Sequence, residues 1–111
     1  MNTLNMKVRL SAEKAESVLF KGLCESFGAR LTDRRSVVLD ESSCLILVFS
    51  KFYKRCASLL GLTVVLTEVD GFCKITLSSS SGKKDAPLIG DLGATEEFCN
   101  EARKLLKSYM A

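Results

Sequence analysis

Apolar and polar residues alternate most regularly between Ser43 and Ser80, where CLILVFSKFY, LTVVLTEV and FCKITLSS follow one another, the last two separated by Asp70-Gly71. Asp-Gly between alternating segments predicts a type I′ hairpin, because both central positions need positive φ and glycine takes it without penalty. With Asp70 and Gly71 as the loop, Val69 opposes Phe72, Leu66 opposes Ile75 and Val64 opposes Leu77. Side chains alternate along a strand, so Leu62, Val64, Leu66, Cys73, Ile75 and Leu77 share one face, which is almost purely apolar. Thr63, Val65, Thr67, Val69, Phe72, Lys74 and Thr76 share the other, a surface only half committed to water. The first face is assigned to the core, and the second is the candidate interface.

The same periodicities organise the rest of the chain. Leu4, Met6, Val8 and Leu10 alternate with polar residues and predict a first strand. Ser11 then caps a helix over Ala12 to Phe27, with Ala15, Val18, Leu19, Leu23 and Phe27 at three- and four-residue steps and Gly28 closing it. Gly22 inside that helix costs about 1 kcal/mol relative to alanine, which points to a close contact with the sheet. Ala29 to Asp40 reads as a second strand with a bend or bulge at Thr32-Asp33-Arg34-Arg35. Cys44 to Phe49 is apolar on both faces, as for a central strand covered on both sides. Lys51 to Leu60 admits a short helix or an extended continuation through Phe52 and Tyr53; the extended reading keeps strands three and four in one hairpin. Ser78 to Pro87 is polar and rich in breakers, and 88–93 is expected to pack briefly on a sheet edge. Thr95 is expected to cap a last helix, with Glu96 and Glu97 at its positive end and Phe98, Ala102, Leu105, Leu106 and Tyr109 in one stripe.

The order β-α-β-β-β-β-α predicts a single α+β domain over 1–111, in which two helices cover one face of an antiparallel sheet of about five strands. The opposite face is left without helices.

Composition adjusts this picture in three ways. The chain has 111 residues, of which 47% are hydrophobic. Such a chain builds an ample core and has apolar surface to spare for a partner or a second copy. A net charge of +3 from 16 basic and 13 acidic residues keeps it soluble without pointing to nucleic acid. Five cysteines, an odd number without any Cys-x-x-Cys pair, read as reduced residues of a cytosolic protein; Cys24, Cys44, Cys73 and Cys99 occupy apolar positions, and Cys56 follows Lys54-Arg55. No segment has the length of a membrane span.

Absence constrains the chemistry further. The chain holds no histidine, so Ser-His and Cys-His nucleophile systems and His-ligated zinc are excluded, and no carboxylate pair is identifiable. Neither catalytic, cofactor nor metal residues are assigned, and no enzyme is expected. One stretch has the components of an anion cradle: Ser78 to Lys84, with Ser80, Ser81, Gly82, Lys83 and Lys84 at its tip. It lacks the spacing and the following helix of a nucleotide-binding P-loop.

The succession VFSKFYKR, LTVVLTEVDG, a Ser/Gly-rich loop and GATEEF resembles a family of short bacterial proteins known only as a domain of unknown function. The likeness runs over Cys44 to Leu106, although Ser80-Ser81-Gly82-Lys83 is less glycine-rich than the family's loop. The resemblance implies a cytosolic bacterial protein and a fold similar to the TATA-binding-protein type; it carries no activity with it. Two functions are expected from these features. The first is a non-enzymatic module that pairs with itself or another protein through the open sheet face. The alternative is a binder of an anion or amphipathic small molecule held between the sheet and the Ser78 to Lys84 loop.

Overall fold

In the computed structural model, which describes residues 2–39, 42–54, 57–81 and 93–111, the Asp-Gly hairpin takes the predicted register. Asp70 and Gly71 have φ of 47° and 83°, and Val69 pairs with Phe72, Leu66 with Ile75 and Val64 with Leu77. The strands are β1 (Asn2–Val8), β2 (Arg30–Leu39), β3 (Ser42–Tyr53), β4 (Ser58–Val69) and β5 (Phe72–Ser81). They form one antiparallel sheet in the order β1-β5-β4-β3-β2. β3 runs through Lys51 and Phe52 to Tyr53, so the extended continuation is the one adopted. β2 slips register between Leu31 and Asp33, a bulge at the interruption seen in the sequence.

Helix α1 spans Ala12–Phe20 and α2 spans Ala94–Leu106. Ser11 caps α1, its hydroxyl accepting the Lys14 amide, and Glu68 of β4 accepts the Ala12 amide at 2.7 Å, so the sheet supplies a second cap. The helix expected to continue to Phe27 widens instead into a π-helical turn over Lys21–Ser26. Gly22 lies in that turn, and a Cβ there would stand 2.2 Å from Leu105 Cδ2. The close approach that requires glycine is therefore to α2, not to the sheet. Thr95 does not cap α2: Gly93, at φ 81°, holds the cap position, while Thr95 is buried and its carbonyl accepts the Ser79 hydroxyl at 2.5 Å.

Both helices cover the face formed by Leu45, Leu47 and Phe49 of β3, Leu60, Leu62, Val64 and Leu66 of β4, and Cys73, Ile75 and Leu77 of β5, which joins Ala15, Leu19, Leu23, Phe98, Ala102 and Leu106 in one core. Burial of the Cys73 thiol, with Glu68 nearby, pushes its pKa up to about 11. Among the described residues two ion pairs tie helix to sheet: Glu16 of α1 with Arg34 of β2, and Glu101 of α2 with Lys51 of β3. The sheet's two edges are blunted differently. Arg30, Asp33, Arg34, Arg35 and the bulge protect β2. Along β1, Arg9 N–H donates to the Tyr109 carbonyl at 2.8 Å and Ala111 N–H to the Lys7 carbonyl at 3.0 Å, which lays the C-terminus over the edge.

Candidate functional site

The strand registers fix what the open face presents. Across β5, β4, β3 and β2 its successive rows are Lys74-Thr67-Cys44-Val37, then Thr76-Val65-Ile46-Arg35, then Ser78-Thr63-Val48-Asp33, then Ser80-Gly61-Ser50-Arg30. Lys7, Asn5 and Thr3 of β1 extend the first three rows. At one end lies the cross-strand pair Val69-Phe72, at the other the pair Leu59-Phe52. All seven residues predicted for the interface, Thr63, Val65, Thr67, Val69, Phe72, Lys74 and Thr76, are thus on this one face. No described helix lies over it.

Its apolar part is larger than the hairpin alone suggested. Ile46 and Val48 stand beside Val65 and Thr63, half-buried, so β3 is covered by helices on one side only, contrary to expectation. Cys44 likewise lies on this face, half-buried, and its sulfur is 3.9 Å from the Thr67 hydroxyl; it is not a core residue, whereas Cys73 and Cys99 are. Phe52 and Leu59, paired across β3 and β4, are 56% and 59% exposed. Gly61 beside them floors a shallow hollow. Its φ is not positive, its pairing is regular and a Cβ would meet nothing within 4 Å, so nothing within the described fold calls for glycine at the middle of a central strand.

Charge on the face is mostly positive. Lys7 and Lys74 flank one end, with the Lys7 ammonium 4.5 Å from the centre of the Phe72 ring. Arg30 and Arg35 lie along the β2 border, and the Asp33 carboxylate pairs with Arg35 at 3.1 Å. Thr76 donates to Asn5 at 2.8 Å.

Of the five residues of the candidate anion loop, two are described. Ser80 and Ser81 belong to β5 rather than to a loop, and Gly82, Lys83 and Lys84 lie outside the described residues, as do Cys56 and the 88–92 segment. On the helix side, a groove of about 650 Å³ is lined by Phe27, Glu96, Glu97, Asn100, Glu101, Arg103 and Lys104, and carboxylates make it a poor anion site. Sequence reasoning missed the cluster beside it. Buried Glu101 accepts Lys51 Nζ at 3.0 and 2.9 Å and the Tyr53 hydroxyl at 3.0 Å. These three bonds join side chains of α2 and β3, which suits a structural tie. Among the described residues no group of three or more metal-ligating side chains comes together.

Residues 1–110 match the model of a family of unknown function, DUF6054. The chain belongs to the DUF6054 family. No curated protein matches it. The family match spans all five strands and both helices of this DUF6054 chain, and so includes the open face whole. No described helix is long and apolar enough to cross a membrane.

Proposed function

We propose that this DUF6054 protein is a non-enzymatic interaction module of the cytosol that binds a protein surface, foremost a second copy of itself, through the open sheet face. One observation carries the reading: Ile46, Val48 and Val65 form an apolar centre, and beyond the Ser50-Gly61 row stands the exposed Phe52-Leu59 pair, all on the side of the sheet that bears no described helix. Apolar surface of that extent marks interaction sites more often than it is left to water. Four described cysteines without a disulfide support the cytosolic setting. The test is Val65→Lys, measured by light scattering and by thermal unfolding. Loss of association is expected, with a cooperative unfolding whose melting temperature no longer depends on concentration and equals that of the parent diluted to the monomer; a variant that associates as the parent does removes the face from consideration.

A second reading is favoured by one row of that face. Ser80, Gly61, Ser50 and Arg30 place two hydroxyls and a guanidinium around a small floor next to Phe52, components that suit an amphipathic anion. It predicts that fatty acids or phosphate esters raise the melting temperature and that Arg30→Ala removes the shift. A flat response to such a panel rejects it.

A further inference from the structure

Two sheets packed face to face about a two-fold axis, with all five strands overlapped, can meet with the axis along the strands or across them, and the order of side chains on this face favours one. With the axis running along β4, the middle strand, β5 lies over β3 of the other copy. Thr76 then covers Ile46, and Lys74 covers Cys44. With the axis across the strands, between the Val65-Ile46 row and the Thr63-Val48 row, each strand lies over its own counterpart with the rows reversed. Ile46 then meets Val48, and Val65 meets Thr63. Arg35 meets Asp33, Thr67 stands over the hollow at Gly61, and the exposed Leu59 meets the exposed Val69. Lys74 comes over Ser80 and Arg30 over Val37, so no two like charges are opposed. The second arrangement places apolar on apolar, cation on carboxylate, and a side chain into a hollow that the fold itself leaves unexplained.

We propose that two copies of this chain associate through the open faces in this crossed, antiparallel register, with Arg35 of each copy bridging to Asp33 of the other. The inference rests on the self-association reading above and adds its geometry. Arg35 and Asp33 already pair within one strand and keep 74% and 48% of their side-chain surface exposed, so both have valences to offer a second copy. Aligned sheets pack about 10 Å apart at about 30°, and an arginine in the row next to the axis spans the offset that such a rotation introduces. The available area is adequate. Five strands about 4.8 Å apart and rows about 6.8 Å apart give a face on the order of 600 Å² before side-chain relief, close to the roughly 800 Å² per partner of a stable complex.

The test mixes two variants, Arg35→Glu and Asp33→Lys, each followed by light scattering on dilution. Alone, either one opposes like charges twice across the proposed axis, and its dimer should weaken at least about tenfold. In an equimolar mixture, a dimer of one chain of each kind sets the introduced carboxylate at position 35 against the introduced ammonium at position 33. Its other pair is the original Asp33 against the original Arg35, so this dimer should return to near the parent affinity. Within each chain the repulsion at 33 and 35 is the same whether mixed or not, so only contact between copies explains recovery. Variants that remain dimeric alone, or a mixture that fails to recover, overturn the register. If the parent chain is monomeric, or dimeric but indifferent to Val65→Lys, the underlying reading has failed instead.

Discussion

Removing one partner from the Glu101 cluster tests how the helix layer is fastened to the sheet. Glu101→Leu leaves the Lys51 ammonium, only 17% exposed, without its carboxylate and takes an acceptor from Tyr53. Breaking a buried pair from one side costs about 3–5 kcal/mol, and the partial access of Lys51 to water places this case near 3. An unfolding entropy of about 2.1 cal/mol/K per residue gives a chain of 111 residues about 4 °C per kcal/mol, hence a drop in melting temperature of roughly 10–13 °C. Lys51→Met should cost a similar amount by stranding the carboxylate. The double variant should lie within about 1 kcal/mol of the parent, because the methionine retains the contacts that Lys51 makes over Phe27 and Tyr53 and neither charge remains buried. Calorimetry on the four proteins gives the coupling directly. Single variants that each lose less than about 1 kcal/mol, or a double variant as unstable as the two losses added, would refute the reasoning.

Three further outcomes follow from the packing. Gly22→Val should lower the melting temperature, since its Cβ collides with Leu105 and overpacking costs about 1–3 kcal/mol; adding Leu105→Ala should restore part of the loss. Gly61→Val should leave the monomer as stable or more so, because the added Cβ meets nothing, yet weaken association by filling the hollow, as dilution and thermal melts of one sample would report. The Cys73 thiol, raised from 9.0 to about 11, keeps its proton in the folded state after the unfolded chain has lost it. Its contribution is thus complete below about pH 9 and is lost as pH rises towards 11, by at most about 3 kcal/mol. Cys73→Ala should flatten that portion of a denaturant-stability profile against pH, and equal slopes for parent and variant would contradict the assignment.

What the sequence made legible was whatever a local period or turn dictates. The Asp-Gly step set the β4-β5 register to the residue, since positive φ at Asp70 and Gly71 permits only that hairpin geometry. Ser11 announced α1 for an equally local reason. The bulge in β2 was visible as a polar break. Errors arose where a distant element decides. Apolar residues on both sides of β3 suggested two covers, but with two helices on one face Ile46 and Val48 can only join the open side. Gly22 answers to Leu105, which is 83 residues away in sequence, and the contact with α2 was unreadable from α1 alone. Gly93 displaced Thr95 as the cap because Thr95 is drawn inward to Ser79. Glu101 fell on the buried stripe of α2, where its carboxylate looked out of place until Lys51 and Tyr53 were brought opposite.

The central claim is that the open sheet face is covered by a second copy. The solution mass of the unmodified chain, followed by light scattering after size exclusion from the micromolar into the millimolar range, tests it most directly. The account predicts twice 12.2 kDa at the upper end, falling towards the single mass on dilution; a mass that stays at 12.2 kDa throughout would contradict it.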